Sequence, residues 1–366
     1  MHPFDRLNPF SARVNSQRSL SSRGASSSGG EEAKSAGFAR LPTAPSGRAA
    51  IPRGPAPFAI VLGPDLNLWF THFRANRIGR ISPLGEVASF DLKNGGFPER
   101  LAGGPDGAIW FTDPSGNRIG RLARDGAVSY VPLPTPESGP AAITLGPDGN
   151  MWFTEHAANR IGRITPLGSV TEFVLPHPGG PAGIASGPDG ALYFAENSVN
   201  RIDRISAAGR VDEFMLPNPH SLPSSIVKGA DGNLWFTEIA AQRIGRLTPN
   251  GDMTEYTLPA AGTPLGIAAG PDGNIWVTIA ARHAICRVAS DGRASAFFLP
   301  VDTTPSFIAG GSDGNLWFTD PSGKIGRFTT SGFLTEFPTI AAENRPASSE
   351  TTPETRRRPS LMIGTP

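Results

Sequence analysis

The sequence predicts an all-β fold, a seven-bladed β-propeller of four-stranded antiparallel blades with disordered N- and C-terminal tails. Three observations carry that prediction. An aromatic anchor recurs at Trp69, Trp110, Trp152, Tyr193, Trp235, Trp276 and Trp317, always 41 or 42 residues apart. Between anchors lie short β-rich runs separated by turn signals, four to a copy, which is the arithmetic of one blade. Glycine and proline number 44 and 37 of 366 residues, a breaker content that suits many short strands and works against a helical bundle.

Each copy follows one grammar. A short apolar run after a proline opens it, as in Gly183-Ile184-Ala185, and should form the innermost strand. The turn Gly187-Pro188-Asp189-Gly190 follows; proline presets φ and Asp-Gly supplies the positive φ that reverses the chain. Leu234-Trp235-Phe236-Thr237 exemplifies the second strand and Arg160 to Ile164 the third. After a turn such as Pro166-Leu167-Gly168, the outer strand reads Thr171-Glu172-Phe173-Val174-Leu175-Pro176. A leucine-rich solenoid would repeat in ~20–29 residues and an ankyrin array would show helical periodicity; neither is present. The anchors should fill the space between blades.

This divides the chain into a Ser/Gly/Arg-rich tail and linker over 1–54, the propeller over 55–340, and a Pro/Ser/Thr-rich tail over 341–366. Blade seven should end on its own outer strand, Thr335-Glu336-Phe337, because the spacing from Trp317 matches the other blades. Phe38 to Pro42 is the competing candidate for that strand.

Basic residues number 33 and acidic 32, so no global charge favours nucleic acid or a membrane surface. No apolar run approaches the ~20 residues of a membrane span. No apolar stretch of ~7–15 residues follows the basic start as a secretion signal requires, so the expected compartment is the cytoplasm. Nothing points to an oligomer, so a monomer is expected. The single cysteine, Cys286, excludes a disulfide framework and reads as a small buried hydrophobe in place of a repeat glycine. Arg80, Arg121, Arg163, Arg204, Arg246, Arg287 and Arg327 recur once per blade and read as partners of outer-strand acids such as Glu172, Glu213, Glu255 and Glu336.

In a four-stranded blade, the loop before the inner strand and the loop after the second strand open on one face. Three positions past each anchor lie His72, Asp113, Glu155, Glu196, Glu238, Ile279 and Asp320. Converging carboxylates suit a hard divalent cation, which makes Asp320, Glu155, Glu196 and Glu238 the candidate metal ligands. His72, His156 and His220 are the candidate bases on that face, and His177 and His283 open towards it. The structural alternative is that repeat-wide acids serve the repeat through local donors, and that each histidine is a solvated loop residue.

The core G-P-D-G-N-[LM]-W-F-T-E-x-x-x-N-R-I-G-R-I-T-P-x-G, best kept in Gly146–Pro176 and Ala230–Pro259, resembles the streptogramin B lyase (virginiamycin B lyase) family across all seven blades. That resemblance implies opening of a cyclic depsipeptide antibiotic by elimination. A histidine base removes an α-proton, magnesium held by two carboxylates stabilises the enolate, and a second histidine acts as acid. The matching positions carry other residues here. The base position is Ser306 and the acid position Leu265; the metal positions are Thr304 and Pro321; the substrate-facing tyrosine is Phe58. The expected function is therefore a lyase-like propeller with Mg2+ implied only by resemblance and its reacting positions substituted. The alternatives are a non-catalytic propeller presenting its top face to a peptide, glycan or protein, and a metal-dependent, lactonase-like hydrolase. In each case the partner is a small-molecule or peptide ligand at the top face.

Overall fold

The computed structural model describes residues 56–339 apart from 74, 93 and 94, together with two short strands at 358–359 and 361–364. Within the unit Pro52–Pro366, seven antiparallel sheets follow one another in chain order. Blade three shows the pattern: Pro140–Leu145, Met151–Glu155, Arg160–Ile164 and Val170–Val174, each strand paired with the next. The fold class is the one the sequence predicts.

The second strands are buried at every described position, as in Met151–Glu155 and Leu234–Glu238. The outer strands alternate and are wetter, as in Val170–Val174. Seven apolar clusters result, and each joins two blades. Trp152 and Ile161 of blade three pack with Ile184, Leu192, Phe194 and Ile205 of blade four. Trp235 and Ile244 of blade five pack with Ile275, Val277 and Val288 of blade six. Trp317 and Ile325 of blade seven pack with Ile60, Leu68, Phe70 and Ile81 of blade one, which closes the ring. The anchors therefore do lie between blades.

The turn aspartate has a second task that spacing alone does not reveal. The indole Nε1 donates to it at Trp69–Asp65 (2.8 Å), Trp110–Asp106 (3.1 Å), Trp152–Asp148 (2.9 Å), Trp276–Asp272 (2.9 Å) and Trp317–Asp313 (3.1 Å). Tyr193 takes the tryptophan's place through its hydroxyl, 3.2 Å from Asp189. One residue thus bends the chain and satisfies the polar atom of a buried ring. Asp148→Ala should destabilise the protein by about 1–3 kcal/mol, because a buried indole N–H loses its acceptor. Urea denaturation would read this, and an unchanged midpoint would assign the aspartate to the turn alone.

Among the described residues the recurrent arginines do not meet Glu172, Glu213, Glu255 or Glu336, contrary to the sequence expectation, although Arg204 does meet another outer-strand acid, Asp212, at 2.9 Å. In blade three, Arg163 lies opposite Trp152 and Thr171, whereas Glu172 lies opposite Gly162. Residues one apart in a strand face opposite sides, so Arg163 falls on the tryptophan face. There its guanidinium lies 5.5 Å from the Trp152 ring and 5.6 Å from Phe173. Arg121 and Arg204 reach the turn aspartates at 2.5 Å and 2.6 Å. The outer acids pair instead with the first basic residue of the third strand: Glu172 with Arg160, Glu213 with Arg201, Glu255 with Arg243, Glu336 with Lys324.

The glycine of Arg-Ile-Gly-Arg is fixed by a ring. A Cβ on Gly162 would lie 2.1 Å from Phe153, and one on Gly245 equally close to Phe236. Blade six relieves this constraint because Val277 replaces the phenylalanine and Cys286 the glycine, a matched exchange of volume, whereas blade four keeps Phe194 opposite a side chain, Asp203. Burial pushes the Cys286 thiol up to about 11, so it is an inert core residue.

Blade seven ends on its own strand Phe333–Pro338, which pairs with Lys324–Phe328. The competing segment Phe38–Pro42, like the rest of 1–54, lies outside the described residues. Most of the predicted C-terminal tail also lies outside them. Its two described strands extend the sheets beyond four: Arg358–Pro359 pairs with Phe333–Leu334, and Leu361–Gly364 with Ser295–Phe298. Among the described residues no helix is long and apolar enough to cross a membrane.

Candidate functional site

The register confirms which ends share a face. The opening proline of a blade stands opposite the residue three past its anchor: Pro57 opposite His72, Pro140 opposite Glu155, Pro181 opposite Glu196, Pro223 opposite Glu238, Pro264 opposite Ile279. A bulge separates this pair from the rest of the ladder. The threonine two past the anchor works inside it. Thr154 Oγ1 accepts from Ala142 N at 2.9 Å and donates to Ala182 O of the next blade at 2.7 Å. Thr112 reaches Ala141 O at 2.9 Å, and Thr319 reaches Phe58 O at 2.6 Å across the ring closure. A hydroxyl that both accepts and donates thus ties neighbouring blades beneath the mouth.

The predicted metal carboxylates are built into their own blades. Each of the four, and Asp113 with them, stands opposite a basic residue of the third strand: Asp113 opposite Arg118, Glu155 opposite Arg160, Glu196 opposite Arg201, Glu238 opposite Arg243, Asp320 opposite Lys324; Arg160 makes its ion pair with Glu172 and not with Glu155. Asp113 bonds Arg118 at 2.7 Å and caps a 3-10 turn, Pro114–Gly116. Glu238 meets Arg243 at 3.3 Å. Asp320 Oδ2 accepts from Thr304 N at 3.0 Å and Oδ1 from Ser322 N at 2.8 Å. In blade six both partners are lost together, and Ile279 stands opposite Ala284, both fully buried. Blade one loses only the acid: His72 takes its position, and Arg77 is kept and pairs with Asp91 at 2.7 Å.

Burial raises Glu155 to about 7, against the lowering influence of Ser138 and Arg160. Burial also holds Glu196, Glu238 and Asp320 above their usual range. Blade four is the irregular one. Asp203 replaces the repeat glycine and is fully buried. Burial and the neighbouring Glu196 hold its carboxyl well above the usual range.

The histidines do not form a constellation among the described residues. His72 is buried and meets the Phe70 ring edge-on at 5.2 Å. His156 is half-buried, its Nδ1 3.2 Å from Pro181 O. His220 is an exposed loop residue with φ of 59°. His177 is exposed beside Glu213, and His283 Nδ1 lies 2.8 Å from Thr303 O.

Ser306 is buried; its N–H donates to Thr319 O at 2.8 Å, and its carbonyl accepts from Thr278 Oγ1. Leu265 is half-buried, and its carbonyl accepts from Ser225 Oγ at 3.0 Å. Phe58 meets Phe307 edge-to-face at 4.8 Å. Thr304 and Pro321 offer no carboxylate, and Asp320 spends both oxygens on backbone N–H groups. A hard cation wants several free oxygen ligands; among the described residues no three His, Cys, Asp or Glu side chains gather to hold a metal. The donor set implied for magnesium is not matched by these residues.

Sequence reasoning missed Arg100. Its guanidinium lies 3.8 Å from the Phe307 ring centroid and 5.4 Å from that of Phe58. It is half-buried, and desolvation lowers its pKa to about 10 against the raising influence of Glu99. The available signal was a break in the repeat. The second residue after the opening proline is Ala59, Ala142, Gly183, Ser225 and Gly266 in five blades, but Arg100 and Phe307 in blades two and seven.

Comparison with known proteins agrees with this architecture. The family model described as the virginiamycin B lyase family matches residues 45–180 and 177–356. A solved streptogramin B lyase is 36% identical, with a TM-score of 0.71 over 75% of this chain and 94% of its own. Selenomethionine-substituted virginiamycin B lyase from Staphylococcus aureus gives 36% and 0.71 over 74% and 94%. A catalytically inactive variant of the Staphylococcus aureus enzyme with quinupristin gives 36% and 0.70 over 75% and 94%. No curated protein matches. On the seven-fold blade grammar, the propeller and these matches, the chain belongs to the virginiamycin B lyase family.

Proposed function

We infer that this member of the family is a binding propeller, which keeps the scaffold and presents the face where the inner strands begin to a small-molecule or peptide ligand. One observation carries the reading. At the place where the family resemblance puts a base, an acid and two metal carboxylates, the chain has Ser306, Leu265, Thr304 and Pro321, and an arginine lies across the adjacent rings. A serine hydroxyl with no adjacent general base is a poor proton acceptor near neutral pH, and a leucine moves no proton. The function of the face then reduces to recognition, for which concave sites with a few polar groups among apolar ones are suited.

A second reading has one observation in its favour. The Asp320 carboxylate lies against Thr304 N, beside both positions matched to metal ligands, so a rearranged lyase would be built there. Mass spectrometry separates the two. Purified full-length protein is incubated with a streptogramin B antibiotic and Mg2+, beside an active lyase. We expect neither an isomer of unchanged mass carrying a new C=C bond nor a product heavier by one water. Isomer formation lost in Asp320→Asn would replace the binding reading with the rearranged lyase, and addition of water would point to a hydrolase.

A further inference from the structure

Residues repeated in every blade serve the blade, so a ligand site is best sought where one blade breaks the pattern. At the second position after the opening proline the inner strands approach closely. A Cβ on Gly183 would lie 2.3 Å from Ser224 O, and one on Gly266 2.7 Å from Ser306 O. Small residues are what the packing favours there. Blades two and seven depart from this with the two largest side chains, Arg100 and Phe307, and their regular inner strands are the shortest, Leu101–Gly103 and Ile308–Gly310. Arg100 reaches past blade one to lie over Phe307, with Phe58 beside it. Its backbone stays anchored, the N–H donating to Thr112 Oγ1 at 3.1 Å and the carbonyl accepting from Thr112 N at 3.0 Å. The side chain is therefore carried on a fixed stem.

We propose that Arg100, held against Phe307 and Phe58, is the receptor for a carboxylate on the ligand, with the rings receiving an apolar group next to that carboxylate. Three points support this. A guanidinium stacked on aromatic faces keeps its N–H edge open, and that edge matches a carboxylate in a bidentate fork. Among the described residues the Arg100 side chain has neither an ion pair nor a hydrogen bond, whereas Arg118, Arg160, Arg201 and Arg243 each meet a carboxylate. Glu99 stands next to Arg100 and acts on its charge. A fixed negative charge beside the guanidinium disfavours a phosphate dianion and leaves a singly charged carboxylate as the better match. Two sources share this chemistry, a small organic acid and the C-terminus of a peptide. The proposal rests on the reading of the face as a recognition surface.

Calorimetric titration of the full-length protein tests it with four probes: N-acetyl-L-phenylalanine, its amide, a pentapeptide ending in a phenylalanine carboxylate, and the same peptide amidated. The free acids should bind at least about tenfold more tightly than their amides, as expected when a charge-assisted pair is lost. Arg100→Gln should remove that preference and Arg100→Lys should keep part of it. Binding of both acids would mean that the small carboxylate suffices, and binding of the peptide alone would identify a C-terminus; both support the site. The acid-against-amide comparison in the unaltered protein needs no variant and stands even if Arg100→Gln fails to fold. Absence of any acid preference, or a preference unchanged in a folded Arg100→Gln protein, overturns the proposal. Turnover of the antibiotic would overturn the non-catalytic reading without touching this result. Failure of carboxylates to bind would remove the Arg100 site while leaving the face open to other ligands.

Discussion

Arg201→Met should lower the stability of the propeller by about 3–5 kcal/mol near pH 8, the range found when one member of a buried ion network is deleted. Arg201 is 6% exposed at its side chain and touches three carboxylates. It bonds Glu196 through Nε at 2.9 Å and again through Nη2, and lies 3.3 Å from Asp203 and 3.0 Å from Glu213. Removing the guanidinium leaves Glu196 and Asp203 buried beside each other with no counter-charge. Both would then have to bind protons, so the loss should shrink as the pH falls towards 5. The same change in blade five is the control. Arg243 is 24% exposed and meets Glu238 and Glu255 at 3.3 Å each, with Gly245 in place of the buried aspartate. Arg243→Met should lose about 1 kcal/mol, nearer to a partly solvated pair. Blade six shows the apolar solution to the same geometry, Ile279, Ala284 and Cys286. Introducing Glu196→Ile, Arg201→Ala and Asp203→Cys together should recover most of the Arg201→Met loss. Urea denaturation at pH 8 measures all three. Equal losses in blades four and five would show that Asp203 adds nothing to the network.

The fold was legible because its determinants are local and repeated. Anchor spacing, Pro-Asp-Gly turns and the Arg-Ile-Gly-Arg strand each act within one blade, and seven copies of a local rule leave little to tertiary context. Register was harder. The partner of Arg163 depends on whether it shares a face with Glu172 or with Trp152, and a one-residue offset reverses the answer. The ring of acids was visible as a pattern, yet its role was not, because Glu196 and Glu238 take their meaning from an arginine five positions on and a strand away. Arg100 was hidden for the opposite reason. It occurs once, and its partners Phe307 and Phe58 lie on blades seven and one, a contact that exists only because the ring closes. The Asp203 substitution could be read from the sequence as a broken glycine; that it is wholly buried beside Glu196 could not.

That broken glycine yields the second large effect, in pH dependence. Burial, the Glu196 charge and Glu213 hold the Asp203 carboxyl above its ordinary value, and Arg201 opposes them. In the unfolded chain it titrates near ~3.9. Between that value and the raised one the folded state binds more protons than the unfolded state. Stability from this group is therefore complete below the unfolded value and falls as pH rises through the window, by at most about 1.4 kcal/mol per pH unit. Asp203→Gly restores the residue found in five other blades and removes this term. It also takes a like charge away from Glu196, which can then ionise against Arg201. Glycine in a strand costs about 0.5–1 kcal/mol in chain entropy, while removing the proton-binding group spares up to about 1.4 kcal/mol for each pH unit above its unfolded value. The variant should thus match the parent near pH 5 and exceed it near pH 8, with a flatter profile between. A residual slope should remain from Glu155, Glu238 and Asp320, which burial also raises. Urea midpoints from pH 4 to 8.5 measure both curves. Parallel curves would mean that the proton of blade four sits on Glu196 whatever its neighbour, and a variant weaker at every pH would mean that Asp203 acts by filling space.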